Sequence, residues 1–166
     1  MRTVACFVAA AVALAASACV SVDVGERAGM RAGAAPGAAL HSAASRGDVD
    51  ATVAALRVAF EAKGIRVFAV IDHAGAAREA GLAMPPTKVI VFGNPKGGTP
   101  LMLAHPSLAL DLPMRVLVRE TAPGRAEVLW HAPSDMERGQ GLPAGTLDGL
   151  KPLGALVRET VDALGR

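Results

Sequence analysis

Two stretches of this chain concentrate residue types that could do chemistry. The first is Asp72-His73, a carboxylate beside an imidazole at the end of an apolar run. Such a carboxylate can raise the imidazole's pKa and prepare it for acid–base work. Adjacent strand residues point to opposite faces, however, and Asp72 is equally suited to capping a following helix. The second stretch is Gly93-Asn94-Pro95-Lys96-Gly97-Gly98-Thr99, directly after the β-branched run Val89 to Phe92. Backbone N–H groups of a glycine-rich turn could cradle an anion, with Lys96 adding charge. The lysine precedes the paired glycines, so the order of a nucleotide-binding phosphate loop is broken. Pro95 and Pro100 remove two further donors. The glycines read more simply as turn residues with positive φ. Asp72, His73, Asn94, Lys96 and Thr99 are thus the candidate ligand-binding residues.

Imidazole and thioether ligands suit copper or haem iron. His73 with Met84 or Met102 is the weak form of that signal; His105, His131 and Met114 complete the inventory. No HxxxH, MxxM or CxxCH cluster occurs, and buried methionines ordinarily fill core gaps, so packing is the leading reading and no cofactor is assigned. A third reading makes His73 a general base with Lys96 or loop amides stabilising an anion. Ser42, Ser107 and Ser134 lack a G-x-S-x-G elbow. Both cysteines, Cys6 and Cys19, fall in the first nineteen residues, so the rest of the chain holds no thiol for a disulfide, zinc site or nucleophile.

The N-terminus reads as an export signal. Arg2 gives a positive start, Val4 to Ala16 is apolar, and Ala16-Ser17-Ala18 supplies a small-residue cleavage site. The apolar run is short for a membrane span. Cys19 follows at once, resembling a bacterial lipoprotein signal in which this cysteine is acylated and becomes the mature terminus, although Ala16 stands where such signals usually carry Leu. The expected organisation is a signal over 1–18, a flexible Ala/Gly-rich tether over 19–39 and one domain over 40–166. The compartment expected is the periplasm or cell envelope, with anchorage through the Cys19 lipid. The 17 basic residues are scattered and the net charge is +2, so no patch suited to a phosphate backbone exists. Aromatics are 3% with no Tyr, which removes base-stacking platforms. Nucleic acid is not expected as a partner.

The elements that must position these residues follow from periodicity. Asp48 can cap a helix in which Val49, Val53, Leu56 and Phe60 share one face, ending at Lys63-Gly64. Ile65 to Asp72 is apolar on both faces and predicts an interior strand. His73 to Leu82 predicts a short helix, Thr87 to Phe92 a central strand, and Thr99 to Ala104 a helical turn. Met114 to Glu120 and Arg125 to His131 alternate around Thr121-Ala122-Pro123-Gly124 and predict an antiparallel hairpin. Gly139 to Gly149 is a loop, and Leu153, Leu156, Val157, Val161 and Leu164 mark a closing helix. Leu40 to Arg46 suits an edge strand. The sum is a single compact α+β domain with a mixed or mostly antiparallel sheet. If the strands ending at Asp72 and Phe92 were parallel neighbours, both motifs would emerge at one sheet end and form one site.

Several unusual peptides in this order carry a resemblance. Ile71-Asp72-His73, Ala77, Gly81-Leu82, Met84-Pro85-Pro86-Thr87-Lys88, Phe92-Gly93-Asn94-Pro95, Gly98-Thr99-Pro100-Leu101-Met102 and Asp111-Leu112-Pro113 resemble the family called domain of unknown function 302. The similarity runs from about His41 to Leu164, and departs at the signal, the tether and the polar Asp135–Gln140 stretch. The resemblance implies a curved sheet backed by helices and frequent homodimers, with no established activity. The expected function is therefore that of an exported, lipid-anchored small-ligand-binding or accessory envelope protein.

Overall fold

The computed structural model describes residues 40–164. The signal, Cys19 and the tether lie outside the described residues. The elements run β1 (Leu40–Ser45), α1 (Val49–Ala62), β2 (Arg66–Asp72), α2 (His73–Glu79), β3 (Thr87–Gly93), α3 (Pro95–Ala104), a 3-10 turn (Pro106–Leu110), β4 (Met114–Ala122), β5 (Arg125–His131), α4 (Pro133–Gly139), a second 3-10 turn (Asp148–Leu150) and α5 (Lys151–Ala163). The five strands form one open sheet in the order β1-β5-β4-β3-β2, antiparallel at every junction. The architecture is α+β.

Helix α1 starts where Asp48 accepts the N–H of Ala51 at 2.8 Å, and Val49, Val53, Leu56 and Phe60 are buried, as the four-three-four spacing predicts. It stops in a left-handed turn at Gly64 (φ +66°), where the N–H of Ile65 reaches back to the carbonyl of Phe60 at 2.9 Å. Its face packs on alternate residues of the central strands: Ile90 and Phe92 from β3, Val116 and Val118 from β4, Val128 from β5. Phe60 stacks on Phe92 with centroids 4.1 Å apart. Helix α5 adds Val157 and Val161 to the same core. It comes so close to the sheet at Gly154 that a Cβ there would stand 2.9 Å from Nε1 of buried Trp130.

Three expectations are corrected. Strand β2 is an outer strand of the sheet, with Phe68 43%, Val70 38% and Ile71 45% exposed. An all-apolar strand cannot announce from its own composition whether a neighbour covers it. The Asn94–Thr99 loop is largely the first turn of α3, since Pro95 at the first helical position suits a helix start and Asn94 supplies the cap. The polar stretch Asp135–Gln140 belongs mostly to α4, whose start is braced by the Asp135 carboxylate accepting the N–H of Ala132 at 3.1 Å. The expected loop begins only after it, at Gly141 (φ +65°). The hairpin, the closing helix and the edge position of β1 agree with expectation.

The second face of the sheet is built differently. One rung crosses all five strands as Ile71, Val89, Leu117, Leu129 and Ser42. Val89, Val91, Leu117 and Leu129 are only half-buried and lie outside both the core and its partly buried fringe.

Candidate functional site

Asp72 closes β2 and opens α2. Its carboxylate accepts the N–H of Gly75 at 2.8 Å, the capping role that the sequence allows. That backbone bond, more than the charge of Lys88 at 3.9 Å, holds the carboxyl below its usual range. Lys88 in turn bonds Asp50 of α1 at 2.6 Å, which raises the ammonium's pKa and keeps it charged. His73 is the first residue of α2 and is exposed. The Asp72–Lys88–Asp50 cluster ties β2 and β3 to α1 and keeps Lys88 in its charged, non-nucleophilic form.

The glycine-rich stretch lies elsewhere. Because β2 and β3 are antiparallel, Asp72 pairs with Lys88 while Arg66 pairs with Gly93. Six residues separate the two ends, about 20 Å along the strand. The single site expected from parallel strands does not form: Asp72 and His73 sit at one end of the sheet, Asn94, Lys96 and Thr99 at the other. The same separation divides His73 from Met102 and from Lys96, whereas Met84 shares the His73 end. Among the described residues there is no group of three His, Cys, Asp or Glu side chains that could hold a metal ion.

At the Gly93 end the backbone donors are already used. Asn94 Oδ1 accepts the N–H of Lys96 at 2.9 Å, and its carbonyl accepts those of Gly97 at 3.0 Å and Gly98 at 2.8 Å. Pro95 has no N–H to offer. The turn therefore satisfies itself and is no anion cradle.

What the stretch does form is the wall of a cavity of about 500 Å³. Asn94, Pro95, Gly97, Gly98, Thr99 and Met102 supply one side. Ile65 and Phe68 at the start of β2 contribute a second, Leu112, Pro113 and Met114 a third, and Leu150 and Leu153 close it from the start of α5. Lys63, Asn94 and Thr99 are the polar side chains of the lining, and Lys96 is exposed and outside it. Apolar walls with few polar groups are the usual make-up of a small-molecule site, and the volume is in range for one. Of the candidates, Asn94, Thr99 and Met102 line this space; Asp72, His73, Lys96 and Met84 do not. Sequence reasoning missed Lys63, Phe68, Leu150 and Leu153 as site residues, and Met114 entered it only as a possible metal or haem ligand. Only the resemblance motif Asp111-Leu112-Pro113 pointed to part of that wall.

A five-stranded antiparallel sheet with its helical layer packed on one face defines the class of domain. The chain belongs to the family described as "Domain of unknown function DUF302", whose model matches residues 41–163. It is similar to the crystal structure of an uncharacterized conserved DUF302 protein from Bacillus stearothermophilus, with a TM-score of 0.58 at 16% identity, covering 75% of this chain and 94% of that one. At that identity the likeness concerns the fold. Over 86 residues it is also 41% identical to "Fluoride-specific ion channel FluC 1" of Brucella suis, covering 52% of this chain and 34% of the relative. The match to FluC 2 of Brucella melitensis is equally 41% identical and covers 32% of that protein. This chain thus spans about a third of these relatives. An 86-residue match exceeds the 39 residues that precede the described domain, so it includes part of that domain.

Proposed function

We propose that this protein is an exported, lipid-anchored envelope protein whose DUF302 domain binds a small, largely apolar molecule in the cavity between α3 and the start of α5. The carrying observation is that cavity: about 500 Å³, walled by Ile65, Phe68, Met102, Met114, Leu150 and Leu153, with Lys63, Asn94 and Thr99 as its polar groups. Burial of an apolar ligand there gains roughly 25 cal/mol per Å² of contact, and the few polar groups orient it. Titration of the purified protein with a neutral apolar fluorophore tests the reading; saturable binding supports it and its absence refutes it.

Export and anchorage rest on Arg2, the apolar run Val4 to Ala16 and Cys19. The Brucella relatives support an accessory role near a membrane, because they carry a similar segment within chains named as ion channels. No helix among the described residues is long and apolar enough to cross a membrane.

The partner assigned is a second copy of the chain, docked on the open sheet face. A solvated face of an antiparallel sheet is ordinarily polar; this one carries an apolar middle of Ile71, Val89, Val91, Leu117 and Leu129, flanked by Arg115 and His131 on one side and the Arg119–Glu127 ion pair on the other. Five strands about 4.8 Å apart and roughly 20 Å long give a face of about 480 Å², somewhat more than half of the roughly 800 Å² each partner buries in a standard interface.

A further inference from the structure

The cavity described above does not exhaust the concave surface. A second cleft of about 220 Å³ opens beside it, with Met114 common to both. Its lining differs in kind: Asp111 after the first 3-10 turn, Arg115 on β4, His131 at the end of β5 and Asp135 on α4, over a base of Met114 and Met136.

We propose that this cleft binds a small zwitterion of amino-acid size. Val116 pairs with Trp130 at the end of the β4–β5 ladder, and Arg115 and His131, the next residue of each strand, both line the cleft. Arg115 has no ion-pair partner among the described residues, and its planar fork is built for a carboxylate. The two carboxylates of the cleft are not equivalent. Asp135 is consumed by the N–H of Ala132 and the guanidinium of Arg138. Asp111 gives one oxygen to Gln140 Nε2 at 2.6 Å, and among the described residues nothing bonds to the other. Gln140 thus fixes the Asp111 carboxylate while leaving it an acceptor for an ammonium group. With Asp135 neutralised by Arg138, the remaining pair is Arg115 and Asp111, one charge of each sign. A bare anion would meet Asp111 and a bare cation would meet Arg115, whereas a zwitterion satisfies both. The volume holds about seven waters at their liquid share of roughly 30 Å³, the scale of a small amino acid.

Calorimetric titration of the purified protein with L-alanine and L-glutamine tests this, run beside propionate and propylamine, which each carry one of the two heads. The expected result is binding of at least one amino acid, with each single-headed analogue about tenfold weaker or worse. Arg115→Gln and Asp111→Asn should each weaken the amino acid about tenfold while the unliganded melting temperature holds, since Arg115 is exposed and Asn preserves the shape of Asp111. No heat from either amino acid at millimolar concentration overturns the proposal. Propionate binding as tightly as L-alanine also overturns it, in favour of a simple anion site.

Discussion

The side-chain oxygen of Asn94 holds the backbone N–H of Lys96 at 2.9 Å, at the point where β3 turns into α3. This one bond converts a glycine-rich turn that could have received an anion into a capped helix start that forms a cavity wall. Asn94→Ala removes the cap and should cost about 1 kcal/mol, a fall of roughly 4 °C in melting temperature for a domain of this size. Asn94→Asp, which caps as well, should keep nearly all of it. Denaturant unfolding of the two variants measures the difference.

Asp72 predicts an acid-side loss of stability. The N–H of Gly75 and the charge of Lys88 lower its folded pKa below the ordinary 3.8. As pH falls the unfolded chain therefore takes up the proton first. The contribution of Asp72 is complete above 3.8 and disappears as pH drops through the lowered folded value. Asp72→Asn keeps a capping side chain and cannot titrate. The stability gap between the original protein and this variant should shrink from about pH 6 to about pH 2.5, and a gap constant over that range would contradict the assignment.

The helix over Val49 to Ala62 and the β4–β5 hairpin were legible because their periods, 3.6 and 2, repeat long enough to be unambiguous. Strand β2 was legible as a strand but misplaced: Val67, Phe68, Val70 and Ile71 make it look enclosed, and only the pairing of β3 with β4 on its other side leaves β2 at the rim. Helix α4 was hidden in a short polar stretch, though Pro133 and Gly141 bracket it as start and stop signals. Only the Asn94–Met102 wall of the cavity was legible, because Lys63, Met114 and Leu153 are far apart in sequence and meet only through the fold. The relation between Asp72 and Asn94 depended on one bit of information, the sense of β2 against β3, which composition does not carry.

The open sheet face predicts self-association. Leu129→Lys places a charge in the middle of the apolar rung between Leu117 and Ser42. The protein should sediment as a dimer and the variant as a monomer, with little change in the helix-side core that Leu129 does not touch. A variant that remains dimeric would move the interface elsewhere, and a monomeric original protein would remove the dimer altogether.

Anchorage predicts a fractionation result. Cys19→Ala should release the protein from membranes into the soluble envelope fraction, because acyl chains on one cysteine contribute about 0.8 kcal/mol per buried methylene. Unchanged membrane association would rule out Cys19 as the lipid site.

The space behind Asn94–Met102 is proposed to receive an apolar ligand. Titrating the purified protein with N-phenylnaphthylamine, neutral and fluorescent in apolar surroundings, tests it most directly when paired with Met102→Trp, which fills the cavity from its α3 wall. Saturable one-to-one binding to the original protein is expected, with at least about tenfold weaker binding to the variant at unchanged helical content. Equal binding by the two proteins, or none by the original, would contradict it.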